Sequence, residues 1–119
     1  MKRVLVVDNS GAEIQQLERI IKETGGFVCI GKAKDGYEAV RMNYLEDPEV
    51  IFIDVNMPGM DGLTALRTLK SLDRDVIIIA VSSRETLGTV LEAAGKLGVQ
   101  RTISKPYSSE DVLQLLQEL

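Results

Sequence analysis

A chain of 119 residues with 45% hydrophobic content has the size and apolar share of one domain with one compact core, so a single domain over 1–119 is expected. Its formal net charge of −4 offers no basic surface to a nucleic-acid backbone, while one cysteine, Cys29, and no histidine exclude an internal disulfide and the usual zinc sites. No apolar run reaches the roughly 18 residues that span a bilayer, and the opening MKRVLVVDNS enters a strand rather than a signal peptide, so a cytoplasmic location is expected.

The apolar run 3–7 predicts a strand. The amphipathic pattern over about 12–23 predicts a helix that Ser10 can cap and Gly25 with Gly26 can end. Residues 28–30 and their flanks form the second predicted strand, where Cys29 reads as a small buried hydrophobe with no function of its own. A helix over 36–45, a strand over 50–53 and a helix over 63–71 follow. Between the last two, Pro58-Gly59 suits a tight turn, Met57 and Met60 pack under it, and Asp61 caps the helix. Then come a strand over 76–81, a helix over 84–97 that Gly98 ends, a strand over 99–104, and a helix over 109–118 capped by Ser108.

Five βα units with near-continuous apolar strands predict an α/β fold, a doubly wound five-stranded parallel sheet with helices on both faces. Right-handed crossovers bring the C-terminal ends of all strands to one edge, where open sheets hold their ligands. At those ends stand Asp8-Asn9, Asp54, Ser82-Ser83 and Lys105-Pro106. Neighbouring carboxylates resist joint ionisation without a cation, and oxygen donors suit a hard divalent ion such as Mg2+. A carboxylate can attack phosphorus, while a lysine ammonium and a serine hydroxyl neutralise and hydrogen-bond phosphoryl oxygens. Singly, these residues are turn formers, caps and solvated charges. Together, four strand ends carrying the required types in one order point to phosphoryl transfer, because turn chemistry gives no reason for the lysine or for an Asp inside IFIDVNMPG.

The segments VLVVDNS, IFIDVNMPGMDG, AVSS and TISKPY resemble the motifs of response-regulator receiver domains, and the resemblance to this two-component family, including its single-domain chemotaxis regulators, covers essentially the whole chain. It implies a flavodoxin-like (βα)5 fold with strand order 2-1-3-4-5. It further implies Asp54 as phosphoacceptor and Lys105 as the group that binds the phosphoryl. Asp8, Asp54 and the backbone carbonyl of Asn56 become Mg2+ ligands, with Asn9 a further candidate. Ser82 becomes the hydroxyl that turns toward the phosphate and moves the loop before the fourth helix, Asn56 and Arg84 become residues that set phosphate lifetime, and Lys105-Pro106 becomes a cis bond. The implied partners are a sensor histidine kinase or phosphotransfer protein and a downstream effector or output domain, with homodimerisation as one form of activation and no direct binding of nucleic acid or membrane. The domain would promote only its own phosphorylation and dephosphorylation.

Two positions depart from the family pattern. Asn9 stands where a second acid is usual, so one charge is missing and weaker Mg2+ binding than in a two-acid relative is expected. Thr102 stands where many relatives carry an aromatic switch residue, which shifts the expected output to the loop and surface around the fourth helix. Three other readings compete. An aspartate-based phosphohydrolase needs a second acid where Asn56 stands, and a flavin binder needs a glycine-rich or hydroxyl-rich cradle where DNSGAE stands. A degenerate receiver serving only as an interaction module is suggested by Asn9 and Thr102 and opposed by Asp54, Ser82 and Lys105.

Overall fold

The computed structural model describes residues 1–56, 62–72, 75–99 and 101–119. The apolar runs become β1 (Lys2–Val7), β2 (Phe27–Ala33), β3 (Val50–Asp54), β4 (Ile77–Ser83) and β5 (Arg101–Lys105). They pair in parallel in the order β2-β1-β3-β4-β5. The helices are α1 (Gly11–Thr24), α2 (Gly36–Glu46), α3 (Gly62–Leu72), α4 (Leu87–Lys96) and α5 (Ser109–Gln117). None of these helices is long and apolar enough to cross a membrane.

The period-2 alternation of a strand explains why the inner strands are apolar at nearly every position. Leu5 and Val7 of β1 and Ile51 and Ile53 of β3 face a core closed by Ala39 of α2, Leu66 and Leu69 of α3, and Val90 and Ala94 of α4. Val4, Val6 and Phe52 face the opposite core, closed by Ile14, Leu17 and Ile21 of α1 and by Val112 and Leu116 of α5. Cys29 sits partly buried against this second core. Burial, helped by the charge of Glu18, pushes its thiol up to about 11, so it stays protonated at neutral pH.

The chain runs outward from β1 to β2 and returns to the other side of β1 as β3. Strand order therefore reverses between β1 and β3, whose ends carry Asp8 and Asp54.

The capping signals act as expected at several ends. The Ser10 hydroxyl accepts the Glu13 N–H at 3.3 Å, Ser108 and Asp111 form a reciprocal capping box, and Gly25, Gly26 and Gly98 take positive φ. Asp35, which sequence patterning does not single out, caps α2 by accepting the Glu38 N–H at 2.8 Å. The fourth helix departs from expectation: it begins at Leu87, not at Arg84. Pairing of Ser82 with Ser104 and of Ser83 with Lys105 extends β4, and the chain needs residues 84–86 to turn before a helix can start. The Pro58-Gly59 turn, Met57, Met60 and the Asp61 cap lie outside the described residues.

Candidate phosphoryl-transfer site

Asp8 directly follows β1, and its N–H donates to the Ala33 carbonyl at 3.0 Å, which fixes its backbone to β2. Its Oδ1 accepts the Ser10 N–H at 3.0 Å. Asp54 ends β3, and its Oδ1 accepts the Asn56 N–H at 2.9 Å. In each case one carboxylate oxygen is held by the turn that follows the strand, which aims the other into the space between strand ends. Both residues are buried, with exposures of 5% and 4%.

Lys105, the last residue of β5, joins them. Its Nζ donates to Asp8 Oδ2 at 2.7 Å and to Asp54 Oδ2 at 3.1 Å, reaching past β4 with a stem long enough to lie over the sheet edge. Burial alone would lower the Lys105 pKa, but the hydrogen bonds and charges of Asp8 and Asp54 outweigh it and hold the ammonium above its ordinary range. The Lys105-Pro106 peptide is cis. Next to it, burial and then the charge of Glu13 push the Tyr107 hydroxyl up to about 12, so its side chain adds no charge at neutral pH.

Ser82 is fully buried, and its Oγ has no hydrogen-bond partner among the described residues. An unmatched buried hydroxyl costs about 1–3 kcal/mol, so the ordinary penalty for deleting a buried polar group is absent here. Ser82→Ala is expected to match or exceed wild-type stability by about 1 kcal/mol. Urea denaturation checks this, and a loss above about 1 kcal/mol would mean that the hydroxyl is bonded.

The remaining predicted residues are distributed differently. Asn9 and Asn56 are exposed at the mouth of the site. The Asn56 side chain turns to the β4–α4 turn, where its Oδ1 accepts the Ser83 N–H at 3.0 Å and its Nδ2 approaches Thr86 Oγ1 at 3.4 Å. Arg84 and Thr102 line an open groove along β5 and α5 whose walls include neither carboxylate. Sequence patterning missed Ser83 and Thr86 as neighbours of Asn56, and it missed Gly62, whose Cα stands against the Val55 backbone. A hydroxyl just before the apolar LGTVL is the only sequence sign of Thr86.

The donors are hard oxygens throughout. The Asp8 and Asp54 carboxylates, whose Oδ2 atoms accept from Lys105 in this structure, and the Asn56 carbonyl form a set that fits Mg2+ better than a softer metal. Among the described residues no cluster of three His, Cys, Asp or Glu side chains is placed to hold a metal.

The pattern of the response regulator receiver domain family matches residues 4–117. The chain is 43% identical over 107 residues to a protein-glutamate methylesterase/protein-glutamine glutaminase of Burkholderia thailandensis, covering 89% of this chain but 30% of that protein. It is 30% identical over 116 residues to the chemotaxis protein CheY of Bacillus subtilis, covering 98% of this chain and 95% of CheY. Among solved structures, the response regulator domain of Thermotoga maritima CheB is 34% identical with a TM-score of 0.84, over 99% of this chain and 92% of that one. The CheX-CheY-BeF3-Mg2+ complex of Borrelia burgdorferi contains a chain that is 30% identical with a TM-score of 0.86, over 98% of this chain and 87% of that one.

Proposed function

Since the chain belongs to the response regulator receiver domain family, we propose that it is a phosphorylation switch in which Asp54 accepts a phosphoryl group from the phosphohistidine of a sensor kinase or phosphotransfer protein. One observation carries this reading: a single ammonium, Lys105 Nζ, bridges two buried carboxylates from different strand ends. Two carboxylates and an ammonium converging on the switch point of an open sheet form a site for a small, highly charged group.

Asp54 Oδ2 is the nucleophile. As its bond to phosphorus forms, the phosphorus–nitrogen bond to the donor imidazole breaks and the imidazole leaves. The Asn56 N–H keeps the other Asp54 oxygen fixed, so one lobe faces the donor. Lys105 exchanges its contact with Asp54 for one with the phosphoryl oxygens, and Asp8 keeps the ammonium in place. Ser82 supplies a hydroxyl that has no competing partner. Mg2+, held by Asp8, Asp54 and the Asn56 carbonyl, would supply neutralising charge; the similar CheY solved with Mg2+ supports that choice. Asn9 is the further candidate ligand, and Arg84 with Asn56 sets how long the phosphoryl group survives.

The phosphorylated form then binds a downstream effector or output domain in the cytoplasm, by shifting a pre-existing equilibrium between conformations. The domain promotes its own phosphorylation and its reversal and turns over no separate metabolite.

Intact mass after incubation with acetyl phosphate tests the reading. One phosphoryl group is expected on the wild type with Mg2+ and none on Asp54→Asn, and Asn9→Asp is expected to lower the Mg2+ concentration needed. A folded wild type that gains no mass would favour an unphosphorylated interaction module instead.

A further inference from the structure

The space between Asp54 and α4 is bridged by a small polar cluster. Asn56 Oδ1 accepts the Ser83 N–H at 3.0 Å. The Ser83 and Thr86 hydroxyls meet at 2.9 Å, and Thr86 Oγ1 lies 3.4 Å from both Oδ1 and Nδ2 of Asn56. Asn56 is itself tied to Asp54 through its N–H. Ser83 follows Ser82, the residue with the unpartnered buried hydroxyl. The Asn56–Ser83 bond therefore spans the two backbone segments that would move relative to each other if Asp54 and Ser82 acquired a common partner.

Thr86 occupies the N-cap position of α4 but does not act as a cap. Its backbone is αR, with φ −102 and ψ −1, and its side chain makes no capping hydrogen bond. A cap normally holds extended backbone and accepts the N2 or N3 N–H. The Thr86 hydroxyl is committed to Ser83 and Asn56 instead, and α4 begins without side-chain help for its first-turn N–H groups. For the Thr86 hydroxyl to accept the N3 N–H, its backbone would have to become extended and the hydroxyl would have to leave Ser83 and Asn56.

We propose that Thr86 is a positioning residue for this site: its hydroxyl, with Ser83, latches the Asn56 side chain to the β4–α4 turn in the unmodified protein, and opening of the latch frees it to cap α4. The coupling rests on Asp54 as phosphoacceptor. With Thr102 in place of an aromatic residue, this route carries the signal from the pocket to α4 without a ring swinging through β5.

Amide hydrogen exchange followed by NMR tests the latch on wild type, Thr86→Val and Thr86→Ser, each before and after acetyl phosphate with Mg2+. Before the phosphodonor, the Ser83 amide is expected to exchange at least threefold faster in Thr86→Val than in wild type, with Thr86→Ser like wild type. After it, all three proteins should take one phosphoryl group. The Thr89 amide, at N3 of α4, should then gain at least threefold protection in wild type and Thr86→Ser but none in Thr86→Val, an effect that loss of packing alone would not produce. Equal Ser83 exchange in wild type and Thr86→Val before the donor overturns the latch, as does equal Thr89 protection afterward. A wild type that takes no phosphoryl group overturns the reading of Asp54, while the first comparison still judges the latch.

Discussion

Gly62→Ala is expected to destabilise the protein by about 3 kcal/mol, although alanine is the better helix former. Gly62 opens α3 and is buried, and a Cβ built on it overlaps the Cα, carbon and oxygen of Val55. Those atoms belong to the backbone that leads out of β3 directly after Asp54, and backbone cannot yield as a side-chain tip can. Helix propensity and reduced freedom of the unfolded chain favour alanine by about 1 kcal/mol at most, so the steric term decides the sign. Gly95 in α4 provides the opposite case, since a Cβ there meets nothing within 4 Å, and Gly95→Ala is expected to stabilise by about 0.5–1 kcal/mol. Urea denaturation of both variants checks the pair. A Gly62→Ala protein as stable as wild type would mean that α3 is not pressed against the β3 exit.

Lys105→Met is expected to cost about 2 kcal/mol without Mg2+, with part of the loss recovered when Mg2+ is added. Removing one member of a buried ion pair costs about 3–5 kcal/mol because the remaining charge is stranded. The Lys105 side chain is 24% exposed, so solvent screens part of that cost. The pH dependence follows from the raised ammonium pKa. A raised folded-state pKa contributes stability that is complete below the unfolded lysine value of about 10.4 and is lost as pH climbs through the folded value. The difference between wild type and variant should therefore be flat from about pH 7 to 10 and close above that. Uptake of the phosphoryl group should fall roughly a hundredfold, the usual scale for loss of a positioned charge at a transferring group. Uptake within twofold of wild type would remove Lys105 from the chemistry.

The parts of the site legible in the sequence are those fixed by strand ends. Asp8, Asp54 and Lys105 are far apart in the chain, but parallel winding allows them only one edge, and apolar runs mark where each strand stops. Element boundaries were less legible wherever pairing or side chains override local preference. β2 continues through Gly31 and Lys32 to Ala33 because Leu5, Val6 and Val7 pair with it beyond the irregularity between Val4 and Leu5. The start of α4 is set by a turn whose Ser83, Thr86 and Asn56 contacts join residues about 30 apart, and no periodicity reports such a contact. Ser82 was legible as a residue type at a strand end, whereas the isolation of its hydroxyl depends on the packing around it.

Reductive trapping tests most directly that Asp54 is the phosphoacceptor. Borohydride converts an aspartyl phosphate to homoserine, which peptide mass spectrometry can locate after treatment with acetyl phosphate and Mg2+. The expected result is homoserine at position 54 in the peptide containing VIFIDVN, and at no other acid. Homoserine at position 8 instead, or none in a folded protein, would contradict the account.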